Sequence, residues 1–444
     1  MIALVLALLL GATPAAAQGL TDSLIHLPPT SGACPAGMPY SPPGTCTPGG
    51  AFLGLGATYV DPVFGQVIRR LTNVWPNGGD SILYSKNGFW NANGTRLAYS
   101  QSDSGTLFAI DTTTGAVIRS GLPGYGPSEV NFDPIDPDIW YWGSGSSLMA
   151  FHLSTGTSST VHTFSGTVGA LGGSGDMVDN TGRWFLVNAG GTMVVWDKTL
   201  NLIYANQGSI SPAGGGGYST IAPDGSGAES VSGTTVTWYP INATAHTFGP
   251  AASRPSVEGD HGDIVCPSDG NCYHIFDHTS TGLVLWRINL TSGGATQVLD
   301  LSALTSWDDV HFSCVPRGIW RDWCVVATET NLLNDLGSWS PWHQEIILFN
   351  VLTGAVHRLA HHRSREINNY QRSPRVSVNW DGTAVAFSSS FGYEALSGAG
   401  NGYSDVYAVT ITRALVPPAP PLFLRFVDLS GLGVGGPFFA SPIQ

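Results

Sequence analysis

The stretch His361–Gly392 reads HHRSREINNYQRSPRVSVNWDGTAVAFSSSFG. Its second half predicts a short strand over Arg375–Val378, a tight turn at Asn379-Trp380-Asp381-Gly382 and a second strand over Thr383–Ser388, because apolar runs flank a turn sequence that accepts left-handed backbone. The unit returns about every fifty residues, with turns at Asn91–Gly94, Asp133–Asp138, Asp179–Gly182, Ala222–Gly225 and Pro267–Gly270. Later turns in the units carry Thr114-Gly115, Thr155-Gly156, Ser292-Gly293 and Thr353-Gly354. A lone unit of this kind cannot bury both of its faces, so a series of seven implies an all-β fold, a seven-bladed β-propeller. The seventh unit runs out after three strands. Gln66–Thr72 (QVIRRLT), a strand with no hairpin partner beside it, resembles an outer strand such as Ala355–Ala360. It is expected to complete the last blade and close the ring.

The flanking segments set the compartment. Residues 1–17 end in Ala15-Ala16-Ala17 after an apolar run from Ile2, the pattern of a secretory signal peptide with a small-residue cleavage site. That run is too short to span a bilayer, and no later stretch is long and apolar enough for a transmembrane segment. Residues 18–65 form a Pro- and Gly-rich N-terminal segment, 66–413 the propeller, and 414–444 a stiff Pro-rich linker with an apolar tail. The tail is a candidate packing strand, surface anchor or docking piece for another chain. The six cysteines fall into close pairs, Cys34 with Cys46, Cys266 with Cys272 and Cys314 with Cys324. In an exported chain such pairs read as local disulfides, and no C-x-x-C spacing favours a metal site. The expected location is secreted, periplasmic or extracellular.

Charge narrows the partners. Only 11% of residues are charged and the net charge is −13, which argues against nucleic acid and anionic membranes. Lys86 and Lys198 are the only lysines, so an anionic ligand must meet a local cluster of arginines. The chain expands between residues 250–261, 328–343, 361–373 and 391–404, and in a propeller these connections lie on one face. The residues that begin each inner strand on that face are Lys86, Glu129, Asp176, Tyr218, His261 with Asp263, His311, and Arg375. Acids, imidazoles and an arginine about one axis are a more specific signal than any member alone.

His261 lies in Asp260-His261-Gly262-Asp263 and His311 in Asp308-Asp309-Val310-His311. A neighbouring carboxylate can fix an imidazole tautomer and raise its basicity, which suits a general base, a metal ligand or a structural histidine alike. Arg363, Arg365, Arg372 and Arg375 could hold a carboxylate bidentately. Of these, Arg363 and Arg365 read as solvated and Arg375 as the better candidate. Only one of the adjacent His361 and His362 can face the opening. Trp307, Trp339, Trp342, Tyr370 and Tyr393 offer stacking surfaces for sugar rings or simply pack the loops together. No G-x-S-x-G, P-loop or H-E-x-x-H occurs.

The sequence SPRVSVNWDG followed by TAVAFSSSFG resembles the blades of TolB-like propellers, and HHRS…YQRSPRVSVNWDG…FSSSFG with His261-Gly-Asp and His311-Phe-Ser-Cys resembles secreted propellers related to oligogalacturonate lyase. The resemblance spans about Gln66 to Thr412. It implies β-elimination on a uronate-containing glycan by a His and an Arg, with a divalent cation (manganese or calcium) held by a Gln and several His. Gln371 matches that Gln, His311 is the matching His, and Pro374, Arg375 and Val376 stand where the further histidines are expected. On this reading Arg375 neutralises the substrate carboxylate and His261 or His311 takes the C5 proton. Tyr218 protonates the leaving oxygen, while Lys86, Glu129, Asp176, Tyr370, Arg372 and Trp342 bind an acidic oligosaccharide or polysaccharide. The competing expectation is a non-catalytic glycan-binding or extracellular assembly propeller.

Overall fold

The computed structural model of the chain describes residues 21–26, 53–61, 63–74, 78–85, 88–101, 104–124, 130–171, 176–204, 218–255, 261–278, 282–305, 309–329, 339–364, 373–390 and 403–411. The segment expected to be a signal peptide, the first cysteine pair and the C-terminal tail lie outside the described residues. Among the described residues, apart from one 3-10 turn at Gly318–Trp320, the regular structure is entirely β, and no helix is long and apolar enough to cross a membrane.

The strands form consecutive antiparallel meanders. One holds Asn131–Phe132, Ile139–Ser144, Ser147–His152 and Thr157–Thr163; the next holds Val168–Leu171, Trp184–Ala189, Thr192–Asp197 and Leu202–Tyr204. Tyr218–Ile221, Gly227–Ser232 and Thr235–Asn242 follow, with Thr247–Phe248 and Ala252–Pro255 both paired to the third. Gly262–Val265 leads the sheet that ends in Ala295–Asp300, and Asp309–Cys314 leads Trp323–Glu329, Glu345–Asn350 and Val356–His361. A nine-stranded sheet joins Val376–Val378, Ala384–Ser389 and Tyr403–Thr410 to the first meander, which starts at Gly78–Ile82. The strand pairing between its two halves, among the described residues, is a parallel contact of Gly78 with Tyr403 and Gly79 with Ser404.

The turns explain why one local sequence repeats. Asn379 Oδ1 accepts from the Thr383 and Ala384 N–H groups (2.7 and 3.1 Å), Asp179 Oδ1 from Arg183 and Trp184 (2.9 and 2.8 Å), and Asn91 Oδ1 from Arg96 (2.9 Å). A short side-chain acceptor thereby replaces a missing backbone partner at each hairpin. Gly382 closes its turn at φ 69°, where a side chain would collide with Trp320. Strands between such turns are buried on both faces: all six positions of Glu345–Asn350 are buried, because neighbouring sheets cover each side.

Two inner strands are interrupted. The chain runs from Ile82 to Trp90 while its partner strand moves only from Tyr99 to Leu97. It likewise runs from Leu171 to Val178 while the partner moves from Val187 to Phe185. These inserts carry Ser85, Gly88 and Asp176.

The sequence reading leaves Gln66–Thr72 without a hairpin partner, and this is corrected. Val67–Arg70 pairs with Thr58–Val60 on one side and with Tyr403–Thr410 on the other. The short Thr58–Val60 strand escaped notice because it lies in a segment whose composition reads as irregular. A buried ion pair locks the second contact. Arg70 donates through Nε (2.8 Å) and Nη2 to Asp405 Oδ2, while Asp405 Oδ1 accepts from Thr72 Oγ1 and the Val74 N–H. Two cysteine pairs form as expected, Cys266–Cys272 and Cys314–Cys324, the latter between directly opposed strand positions.

Removing one partner of a buried pair strands the other charge. Asp405→Ala is therefore expected to destabilise the protein by about 3–5 kcal/mol, and Arg70→Met with Asp405→Leu by clearly less than the two single changes combined. Chemical unfolding of Asp405→Ala, of the two single changes and of the double variant measures the difference.

Candidate functional site

His261 stands just before the Gly262–Val265 strand, and His311 is the third residue of Asp309–Cys314. Asp309 and His311, two apart, share a strand face, and Glu329 on the next strand is opposed to Asp309 in register. Two carboxylate–imidazole pairs result. His261 Nδ1 lies 2.9 Å from Asp309 Oδ1, and His311 Nδ1 lies 2.6 Å from Glu329 Oε1. The rings are 4.6 Å apart between centroids, inclined at 51°. Tyr84 meets His311 edge-on at 5.5 Å, and the Arg375 guanidinium carbon sits 5.8 Å from the Tyr84 ring.

These pairings cross the sequence-local ones. Asp263 does not serve His261: its Oδ2 accepts from the Cys314 N–H at 2.6 Å and its Oδ1 from Ile264 at 2.8 Å. The Asp260 and Asp308 positions lie outside the described residues. Glu329 was missed, although an acid ending the apolar run WCVVATE is a signal in itself, since a charge there needs a partner. Gly262 is required by close approach: a Cβ would fall 2.5 Å from the Ile275 carbonyl and 2.8 Å from the Tyr218 hydroxyl.

The electrostatics separate the two acids. Burial alone would raise the Asp309 carboxyl, but the hydrogen bond and charge of His261, the charge of His311 and the Val310 N–H bring it below its ordinary value. Burial and the negative Asp309 push Glu329 well up, against the positive influence of His261 and Arg375 and a hydrogen bond from the Arg375 N–H. Arg375 adopts φ 33°, a conformation costly for a side-chain-bearing residue. His261 and Asp309 keep 13% and 21% side-chain exposure, whereas His311 is fully buried and Arg375 is 2% exposed. One ligand atom each from His261, Asp309 and His311 lies within 4.8 Å of the others. Two imidazoles and a charged carboxylate suit a divalent transition cation, so the donor set fits the metal that the resemblance implies. The matching Gln371 lies outside the described residues.

Other expectations fare unevenly. Lys86, Glu129, Arg365, Tyr370 and Arg372 also lie outside the described residues. Tyr218 is 2% exposed; burial, with the nearby charges of Glu229, Asp263 and Asp277, lifts its hydroxyl far above the usual phenol range. A general acid works best with a pKa near working pH, and this shift runs the other way. Trp342 is no open sugar platform: it is 4% exposed and carries the Arg358 guanidinium 4.7 Å above its ring. Asp176 does not join the imidazoles but lines an internal cavity with Asp263, and burial together with the Asp263 charge raises its carboxyl well up.

Neither His361 nor His362 opens to solvent. His361 Nε2 meets the His26 carbonyl at 2.9 Å, with its ring 4.7 Å from Phe64. His362 Nε2 donates to the Thr328 carbonyl (2.7 Å) and its Nδ1 accepts from the Ser364 N–H (3.1 Å), which requires the neutral imidazole. Arg363, expected to be solvated, is fully buried near Asp61.

Burial lowers His362 to about 3. The unfolded chain therefore binds a proton near pH 6.5 that the folded chain refuses, and stability present above pH 6.5 is lost as pH falls toward 3. The expected slope is about 1.4 kcal/mol per pH unit from this residue. Denaturant unfolding between pH 7 and 4 should show it, with a shallower slope for His362→Gln.

No family model and no curated protein sequence matches the chain. Among solved structures, it is similar to an oligogalacturonate lyase in complex with manganese, at 13% identity and a TM-score of 0.50, covering 81% of this chain and 96% of the other. The oligogalacturonate lyase of Vibrio parahaemolyticus matches at 11% identity and a TM-score of 0.48, covering 81% and 97%. The Cps50 (Swd1) β-propeller domain of Myceliophteria thermophila matches at 12% and 0.45, covering 77% and 99%. At these identities the likeness is one of fold: the chain is an all-β propeller resembling oligogalacturonate lyase.

Proposed function

We propose that the protein is an exported polysaccharide lyase that cleaves a uronate-containing glycan by β-elimination. The observation that carries this reading is the pair of imidazoles of His261 and His311, 4.6 Å apart and each backed by a carboxylate. The same reading divides the nine-stranded sheet at its two-residue parallel contact, which yields seven blades. Val67–Arg70 then acts as the outer strand that closes the last blade, as TolB-like propellers would require. Disulfides at Cys266–Cys272 and Cys314–Cys324 fit an oxidising compartment outside the cytosol.

In this mechanism His261 is the base, because it keeps exposure while His311 has none. Asp309 holds its Nδ1 and stabilises the imidazolium that forms on proton abstraction. The C5–H bond breaks, its electron pair forms the C4–C5 double bond, and the C4–O bond opens; water protonates the departing oxygen. The Arg375 charge, poorly screened in its buried position, favours the carbanionic character that develops beside the uronate carboxylate. With His261 acting as the base, a divalent cation would be left to Asp309 and His311 among the described residues and would supply Lewis-acid neutralisation of that carboxylate.

Incubation of the purified chain with uronate polysaccharides should raise absorbance in the unsaturated-uronate band. His261→Ala is expected to lower the rate by about 10²–10⁴-fold, and Arg375→Ala to lower it with the fold intact by circular dichroism. A flat trace across the panel beside measurable glycan binding would instead assign the protein to non-catalytic recognition.

A further inference from the structure

Away from the imidazole pair, a cavity of about 20 Å³ is lined by Ser85, Gly88, Trp90, Asp176, Asp263 and Ser313 among others. Both interrupted inner strands deliver residues to it: Ser85 and Gly88 come from one insert, and Asp176 from the other. They meet directly, since the Gly88 N–H bonds to Asp176. The volume suits one water or one bare ion.

Three features of the lining call for a cation. Asp176 and Asp263 place two carboxyl groups on one small space, and no lysine, arginine or histidine lines it among the described residues. Ser85 is 1% exposed, yet its hydroxyl has no hydrogen-bond partner. Ser313 Oγ accepts from the Val378 N–H at 3.0 Å and keeps a second lone pair. A water molecule would satisfy Ser85 but leave the Asp176 carboxyl, which accepts from the Gly88 N–H and the Asn131 side chain, under the charge of Asp263 in a medium that screens it poorly. A cation relieves that repulsion and takes the serine oxygens as further ligands. The donors are all oxygen, which selects a hard ion of the calcium type over the softer metals that imidazole favours. Asp263 is positioned for this role by the N–H groups of Ile264 and Cys314, which hold its oxygens in place.

We propose that Asp176 and Asp263, with Ser85 and Ser313, bind a single calcium-type cation in this cavity, where it ties the two inserts to the strands that begin at Gly262 and Asp309. The site shares no residue with the imidazole pair, although Asp263 and Ser313 lie two positions beyond His261 and His311, and its role is structural whether or not the protein is a lyase.

The test uses terbium as a probe, because Trp90 and Trp380 line the cavity and can sensitise its emission. The full chain, stripped by chelator, is titrated with terbium under indole excitation, then with calcium as competitor, and calcium is scored for its effect on the melting temperature. Saturable emission that calcium displaces, and a calcium-dependent rise in melting temperature, are expected. Both should vanish in Asp176→Asn and persist in His311→Gln. Should Asp176→Asn fail to fold, Ser85→Ala is expected to weaken calcium about tenfold or more, losing one of several ligands. Loss in His311→Gln with retention in Asp176→Asn would move the ion to the imidazole site and overturn the proposal. No saturable emission and no calcium effect, with Asp176→Asn more stable than the parent in chelator, would mean that the cavity holds only a proton or water.

Discussion

A buried ion pair between Arg70 and Asp405, 335 positions apart in the chain, is the constraint on which the arrangement of sheets rests. It joins an early strand to the last one, which Ala384–Ser389 separates from the Val376–Val378 strand that Arg375 precedes. Burying two charges gains little net stability over an apolar contact, but leaving either unpaired is expensive, so the pair enforces one register. Tyr403–Thr410 also touches Gly78–Ile82, and the first and last meanders therefore share an edge. Tyr84, soon after that edge, reaches His311, and Arg375 reaches Tyr84. Groups from three distant parts of the chain converge because the ends are held together.

Convergence alone does not make a reactive site; the distribution of charge does. The two acids of the imidazole pairs are pushed in opposite directions, Asp309 down by histidines and Glu329 up by burial and by Asp309. The two imidazoles therefore sit against carboxyl groups whose acidities are pushed apart. The more exposed ring is the one paired with the more acidic carboxyl. Arg375 contributes a fixed charge and a backbone donor at the same Glu329, at the cost of a strained φ.

The cavity shared by Asp176 and Asp263 belongs to a different layer of the molecule. Ser85, Gly88 and Asp176 come from breaks in the strand ladders, while Asp263 and Ser313 come from regular inner strands. Regular inner strands would carry apolar residues there, as at Ile221 or Phe312. Interrupting two of them exposes polar groups that the ladder no longer uses, and these need another partner.

Local chemistry was readable from residues alone. The Asn- and Asp-capped turns, the Cys266–Cys272 and Cys314–Cys324 pairs and the all-β character follow from neighbours a few positions apart, whose geometry hardly depends on the rest of the chain. His261, His311 and Arg375 stood out because they begin inner strands. What tertiary structure decided was the partner of each group. Asp309 serves His261 rather than its own strand neighbour, Glu329 serves His311, and Asp263 turns to a backbone amide. Burial likewise decided that Trp342 lies under Arg358 and that Arg363 and His362 are interior groups. Turn type is settled by short-range sterics and hydrogen bonds within one segment. Ionisation and pairing depend on which charges other strands bring within a few ångströms and on how much water remains, and no single segment contains that information.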